Sequence, residues 1–157
     1  MPLSFTTMTD HDHSADVVRM MRELYETDAP DLGVDFAKFP ATIDRLLGEP
    51  SRGRIVLAMF DGAVAGYALL IPYWSNEFGG IVVLLDELLV EQQFRGKGIG
   101  RAFLRFLDEH RPFEAVALAL EVSPKNAAAR ALYESMGFEE RKFRMMTRRL
   151  THNVRPT

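Results

Sequence analysis

The 157-residue sequence predicts a mixed α/β layer fold, in which antiparallel strands come first and a parallel strand-helix-strand unit follows. Two stretches carry this prediction. RIVLAMF (54–60), the turn Asp61-Gly62 and AVAGYALLIP (63–72) form a strong hairpin signal. IVVLLDELLV (81–90), apolar on both faces, then leads through a glycine-rich turn into an amphipathic helix and a further apolar strand. A strand of that kind belongs in the middle of a sheet covered on both sides.

The elements follow in order. PLSFTTMT (2–9) alternates loosely, as a first strand would. Ser14 or Asp12 is placed to cap a helix whose apolar residues Val17, Val18, Met21, Leu24 and Tyr25 fall at helical spacing. ETDAPDLG (26–33) breaks it with Pro30 and Gly33, and DFAKFPATIDRLLGEP (35–50) reads as a second helix with Pro40 near its start. YWSNEFGG (73–80) reads as a loop between the hairpin and the strand at 81–90. A helix is expected over 99–111, stopped by Pro112, and a strand over FEAVALALEV (113–122). SPKNAAARALYESMG (123–137) reads as a helix, with Ser123 or Asn126 near its start and Gly137 as its stop. FEERKFRMMTRRL (138–150) is expected to supply one or two terminal strands, and THNVRPT (151–157) to fray. No repeat or linker divides the chain, so residues 1–157 are read as a single domain.

Composition narrows the function classes. The chain has 47% hydrophobic and 26% charged residues, and no apolar run reaches membrane-spanning length. The N-terminal stretch lacks the basic and apolar regions of a signal peptide, and cysteine is absent, so a cytoplasmic location is expected. Without cysteine there is no thiol nucleophile and no thiolate metal site. His11 and His13 form an isolated HxH, read as exposed rather than as a metal site. Residues 1–91 hold 6 Lys and Arg against 15 Asp and Glu, whereas residues 92–157 hold 13 against 7. One reading is two differently solvated surfaces; the other is a second half that meets an anion and a first half that meets a cation. The net charge of −3 and sparse aromatic interleaving disfavour nucleic acid as a partner.

RGKGIG (95–100) is the densest motif. Its glycines alternate between a strand and a helix, where backbone amides and the helix N-terminus form an anion site. Arg95, Lys97 and Arg101 add positive charge at its rim. A Walker loop is rejected, because no Ser or Thr follows Lys97. A dinucleotide fingerprint fits Gly96 and Gly98, with Glu121 near the required acid, but Arg101 stands where the third glycine belongs. A turn that only redirects the chain would need one glycine, not three.

R-G-K-G-I-G resembles the R/Q-x-x-G-x-G/A signature of the GNAT superfamily of acetyl-CoA-dependent N-acyltransferases, with Arg95, Gly98 and Gly100 on its defining positions. Gln93, Gly96 and Gly98 fit a second register. NAAARALYESMGF (126–138) resembles the family's later N-x-x-A-x-x-L-Y-x-x-x-G-F helix, and LDELLV resembles the strand before the loop. The resemblance covers about 54–150 and is weak over 1–50, the part that shapes the acceptor pocket in such enzymes. It implies a central, mostly antiparallel mixed sheet with helices on both faces and two parallel strands splayed at the cofactor cleft. It also implies acetyl-CoA as the donor, with no metal. The backbone of Arg95, Gly96, Lys97, Gly98, Ile99, Gly100 and Arg101 would bind the pyrophosphate, and that of Leu88, Leu89 and Val90 the pantetheine arm. Asn126 would bond the cofactor or the splayed strands; it can equally cap its helix. Tyr133 would be the general acid that protonates the departing thiolate, its plain alternative being a core aromatic.

Asp86 and Glu87 interrupt an otherwise apolar strand, and a carboxylate there is costly unless paired or functional. In relatives that act on polyamines or aminoglycosides the acid aligns with Asp86, so Asp86 is the first candidate base and Glu87 the second. The alternative is a buried salt bridge to an arginine. Tyr73, Trp74 and Glu77 are candidates for an amine-binding wall, or simply an exposed loop; Tyr25, Glu26 and Asp28 are similar candidates at the end of the first helix. The expected reaction is direct attack of a small, cationic primary amine on acetyl-CoA in a ternary complex. A protein or peptide N-acetyltransferase and a non-catalytic acyl-CoA sensor on the same fold are the alternatives. Dimerisation is common in the family, and a homodimer is carried as an expectation with no interface specified.

Overall fold

A computed structural model describes residues 2–30 and 33–150; the frayed tail expected at 151–157 lies outside them. Five strands form one sheet in the order β1 (Leu3–Thr7), β2 (Arg54–Phe60), β3 (Ala63–Ser75), β4 (Gly80–Val90) and β5 (Ala117–Leu120). Neighbours are antiparallel except β4 and β5, which are parallel. Helices α1 (Ser14–Thr27) and α2 (Lys38–Gly48) connect β1 to β2, α3 (Ile99–His110) connects β4 to β5, and α4 (Ala127–Ser135) follows β5. This is the mixed sheet with an internal parallel unit that the sequence predicts. None of the described helices is long and apolar enough to cross a membrane.

Period-two alternation distributes the strands between two cores. Ile55, Leu57, Tyr67, Leu69 and Leu89 pack with Val17, Met20 and Met21 of α1 and Phe39, Ile43 and Leu46 of α2. Val56, Ala58, Ala68, Leu70, Val83 and Leu85 face Ile99, Phe103, Leu104 and Leu107 of α3 on the other side. Alanines on this second face let α3 lie close, and Phe5 closes one end of the layer against Phe103 and Phe106, with ring centroids 4.8 and 4.9 Å away.

Several boundaries differ from expectation. His13 stands at the N-cap of α1 without a side-chain cap bond. Ser14 instead bonds the ring of His11 at 2.9 Å, and Asp10, not Asp12, accepts a backbone bond in the preceding turn. The helix α2 begins at Lys38, with Pro40 in its first turn, where a proline removes no intrahelical bond. Tyr73, Trp74 and Ser75 extend β3 rather than looping, because Tyr73↔Val82, Trp74↔Ile81 and Ser75↔Gly80 continue the ladder. Phe113 and Glu114 have left-handed backbone (φ 60° and 56°), which delays β5 to Ala117. The strands expected within 138–150 do not form: the segment is irregular chain, exposed from Glu139 onward, with Phe143 and Met146 86% and 95% accessible. Its alternation is broken by Met145-Met146 and by closely spaced cations, and strand propensity is realised only when a neighbouring ladder accepts it.

Candidate active site

The glycine-rich turn is built as an array of amides. After β4 the chain makes a 3₁₀ turn over Gln92–Phe94, closed by Phe94 N–H to Glu91 O and Arg95 N–H to Gln92 O. Gly96 and Gly98 then take φ of 76° and 77°, a region glycine enters without penalty, and Gly98 is the N-cap of α3. The next backbone donor with an acceptor is Ala102 N–H, bonded to Gly98 O. The six N–H groups from Gly96 to Arg101 thus have no backbone or side-chain acceptor among the described residues. Consecutive free amides at the positive end of a helix make an anion site matched to a pyrophosphate.

The flanking cations are not all at that rim. Arg95 Nε donates to Val90 O at 2.8 Å, with its guanidinium 3.4 Å from Glu23. Arg101 reaches across to α4, donating to Ser135 Oγ at 3.0 Å and to Met136 Sδ at 3.3 Å. Lys97 lies near the Phe60 ring, 5.9 Å from its centroid. Gly100 is inside α3, where a Cβ would stand 3.4 Å from Leu132 of α4.

Beside this turn the two parallel strands part. Their last paired residues are Leu85 and Leu120, and Asp86 and Glu121 are the first beyond the split. From there Leu88, Leu89 and Val90 keep their ladder to β3, opposite Ala68, Tyr67 and Gly66, while their β5-side edge is left without a strand. An open edge of this kind can pair with the amides of an extended ligand. Gly66 makes the β3 side close: a Cβ there would come within 2.4 Å of Leu89 O. Asp86 is raised above the usual carboxylate range, first by desolvation and then by the charge of Glu121.

Asp86 is also a bulge. Leu70 pairs with Leu85 and Leu69 with Glu87, so Asp86 is an extra residue without a partner on β3. Up to that point odd-numbered residues Val83 and Leu85 face α3; beyond it, Leu88 and Val90 take that face and Leu89 packs with α1 and α2. The shift sends Glu87 to the α1/α2 side. There it is 8% exposed and accepts hydrogen bonds from Tyr25 Oη at 2.7 Å and Tyr67 Oη at 2.8 Å. Burial raises Glu87, the two phenol bonds oppose that rise, and the charge of Asp86 adds to it. Burial likewise raises both tyrosines, with the Glu87 carboxylate reinforcing it, so they remain donors. No Lys, Arg or His among the described residues pairs with Glu87, so a salt bridge does not account for it.

The remaining candidates divide. Asn126 is the N-cap of α4, its Oδ1 accepting from Ala129 N–H at 3.1 Å. Tyr133 is half-buried on α4 against the α3 core and makes an edge contact with Phe138 at 5.8 Å. Burial raises its hydroxyl, which has no partner among the described residues. Tyr25 joins Glu87, whereas Glu26 and Asp28 are exposed. Tyr73 and Trp74 pair with Val82 and Ile81, four and five residues before Asp86, about 14 and 17 Å along the strand. Glu77 forms an ion pair with Arg141. The structure therefore does not bring Tyr73, Trp74 and Glu77 to the split. Neither the role of Tyr67 nor the proximity of Asp86 to Glu121 is signalled by a sequence motif. Tyr67 shares the parity of Leu69, which marks its face, but only the strand register reveals its partner.

The model of the acetyltransferase (GNAT) family matches residues 18–138. A [ribosomal protein bS18]-alanine N-acetyltransferase of Salmonella typhimurium is 46% identical over 68 residues, covering 40% of this chain and 46% of that protein. A spermine/spermidine N(1)-acetyltransferase of Bacillus subtilis is 26% identical over 84 residues, covering 51% of this chain and 55% of the relative. The chain spans about half the length of the curated relatives it matches. The fold is also that of an aminoglycoside N-acetyltransferase AAC(6')-Iy solved in complex with CoA, with a TM-score of 0.75 at 19% identity, covering 94% of this chain and 95% of that one.

Proposed function

This chain belongs to the acetyltransferase (GNAT) family, and from that premise we propose that it transfers the acetyl group of acetyl-CoA to a primary amine of a small cationic acceptor. The observation that carries the reading is the junction of two features at one end of β4: six amides from Gly96 to Arg101 that are free among the described residues, and an edge over Leu88, Leu89 and Val90 that β5 leaves uncovered, with only Val90 O engaged, by Arg95 Nε. The first suits a pyrophosphate and the second an amide-bearing arm, so the residues present fit the cofactor.

Bound acetyl-CoA would supply an acetyl thioester, whose carbonyl carbon forms the new C–N bond as the C–S bond breaks. The chain's own residues do the rest. The Gly96–Arg101 amides hold the phosphates, and the strand edge fixes the arm beside the split. Asp86, with its proton affinity raised beside Glu121, accepts the proton that an ammonium must lose before it attacks. The hydroxyl of Tyr133, kept protonated by burial, delivers a proton to the departing sulfur and regains one from the second proton that the attacking nitrogen sheds as the amide forms. Without cysteine no acyl-thiol enzyme can form, and direct attack in a ternary complex is the simplest course.

Titration with acetyl-CoA tests the reading first: absence of binding overturns it. Thiol release over a panel of polyamines, aminoglycosides, amino acids and peptides then identifies the acceptor class. Binding without release for any amine would favour a non-catalytic acyl-CoA sensor. A peptide amine is the second reading, favoured by the 46% identity over 68 residues to a [ribosomal protein bS18]-alanine N-acetyltransferase. Release with peptides and not with small amines would select it.

A further inference from the structure

Glu87 is a buried carboxylate with good hydrogen bonds and no counter-ion among the described residues. Its two oxygens each accept one phenol proton, at 2.7 Å from Tyr25 and 2.8 Å from Tyr67. An ionised carboxylate offers about four lone-pair positions, so roughly half remain unused. Its nearest charged neighbour in sequence, Asp86, has the same sign. Two neutral donors orient such a group without cancelling its charge, and an uncompensated charge in a largely apolar wall is costly. A purely structural tie between α1 and the sheet could be made by a neutral side chain at lower cost.

The surroundings favour a cation. Tyr25, half-buried, forms the outer side of the cluster and continues into a row of rings: Tyr25 to Phe39 at 5.1 Å and Phe39 to Phe36 at 5.2 Å. One cation already uses this row, the Arg22 guanidinium lying 5.3 Å from the Phe36 centroid. Ring faces and a carboxylate together suit an ammonium. The position suits it too. Glu87 lies two residues beyond the last β4–β5 pair, on the α1/α2 face, whereas Asp86 marks the split itself.

Building on the acetyltransferase reading, we propose that Glu87, held by Tyr25 and Tyr67, is the seat of a second, non-reacting cationic nitrogen of the acceptor. Asp86 and Glu121 serve the nitrogen that reacts; Glu87 serves the one that does not. Tyr67 and Tyr25 are positioning residues, since they act through the carboxylate. The acceptor class is then a molecule with two cationic nitrogens rather than a simple monoamine.

The test separates this assignment from the reading beneath it. Acetyl-CoA is titrated first, and failure to bind overturns the acetyltransferase reading. Diaminobutane and aminobutanol are then titrated into the complex with coenzyme A, which cannot react. The two probes share one amine and differ only in the second charge. Wild type is expected to bind diaminobutane about tenfold tighter or more, the scale of one hydrogen bond to a charged group. Glu87→Gln should abolish the preference while leaving coenzyme A affinity unchanged; Tyr67→Phe, which keeps the charge but loosens it, should reduce it. Because the readout is a ratio of two ligands on one protein, partial loss of folded material does not affect it. Equal binding of the probes by wild type, or a preference retained in Glu87→Gln, overturns the assignment. A turnover assay adds a second arm. An effect of Glu87→Gln on kcat, with KM for diaminobutane unchanged, would make Glu87 the base and also overturn it.

Discussion

Tyr67 on β3 donates a 2.8 Å hydrogen bond to Glu87 on β4, although its in-register partner is Leu89; Glu87 itself pairs with Leu69. The bond is a diagonal one, running between side chains that share the α1/α2 face. It exists because the bulge at Asp86 has already turned Glu87 to that face.

The Glu87 carboxylate makes stability depend on pH in a definite direction. Burial raises its folded-state pKa despite the two phenol bonds. The folded chain therefore holds this proton to higher pH than the unfolded chain, whose carboxyl titrates near 4.3. Glu87 imposes no penalty below that value, and stability is lost as pH rises through the folded-state pKa. Glu87→Gln retains an acceptor and removes the charge. Denaturant unfolding should show the variant and wild type equal near pH 4 and the variant more stable by about 1 kcal/mol at neutral pH. A variant less stable at neutral pH would show that the phenol bonds to the charged form outweigh desolvation.

Gly98→Ala and Gly62→Ala form a matched pair. Both glycines have φ near +77° (77° and 78°), and neither has a neighbour within 4 Å of an added Cβ. Each substitution should cost about 1 kcal/mol of stability through backbone strain alone. Only Gly98→Ala should also weaken acetyl-CoA binding, because Gly98 lies within the row of free amides and Gly62 in the β2–β3 turn. Calorimetric titration of both variants checks this.

Gly66→Ala tests the strand that borders the split. The new Cβ would meet backbone, Leu89 O at 2.4 Å, which cannot swing aside as a side chain would. A loss of about 2 kcal/mol is expected. Acetyl-CoA affinity should fall with it, since Leu89 and Val90 must move. Thermal unfolding and titration of the same preparation read both effects.

Tyr133→Phe removes only the hydroxyl from a half-buried ring whose hydroxyl has no partner among the described residues. Packing against Phe138 is retained, so stability should change little. Turnover should fall by about 100-fold with acetyl-CoA affinity unchanged, as expected for loss of a general acid. Unchanged turnover removes the assigned role.

Much of the site is legible in the sequence. The alternating glycines announce a backbone that turns into a helix and leaves its amides exposed, because only glycine enters φ near +77° without strain. Asn126 announces a helix start, and serves as one. What misled was propensity without a partner. Residues 138–150 carry enough Phe, Met and Thr to suggest strands, yet no ladder receives them. Tyr73 and Trp74 looked like loop residues, yet the ladder to Val82 and Ile81 draws them into β3.

The sequence by itself determined the order of elements as far as α4, the two-sided burial of β4, the amide-rich turn and the presence of two adjacent acids in an apolar strand. Those follow from local backbone preference and from the periods of strand and helix, which neighbouring residues settle among themselves. Only the tertiary structure decided what each acid faces. One unpaired residue in β4 inverts every side chain after it, and that bulge depends on how β3 and β4 mate across a register no local pattern encodes. It leaves Asp86 at the split beside Glu121 and places Glu87 between Tyr25 and Tyr67, side chains 62 and 20 residues away along the chain.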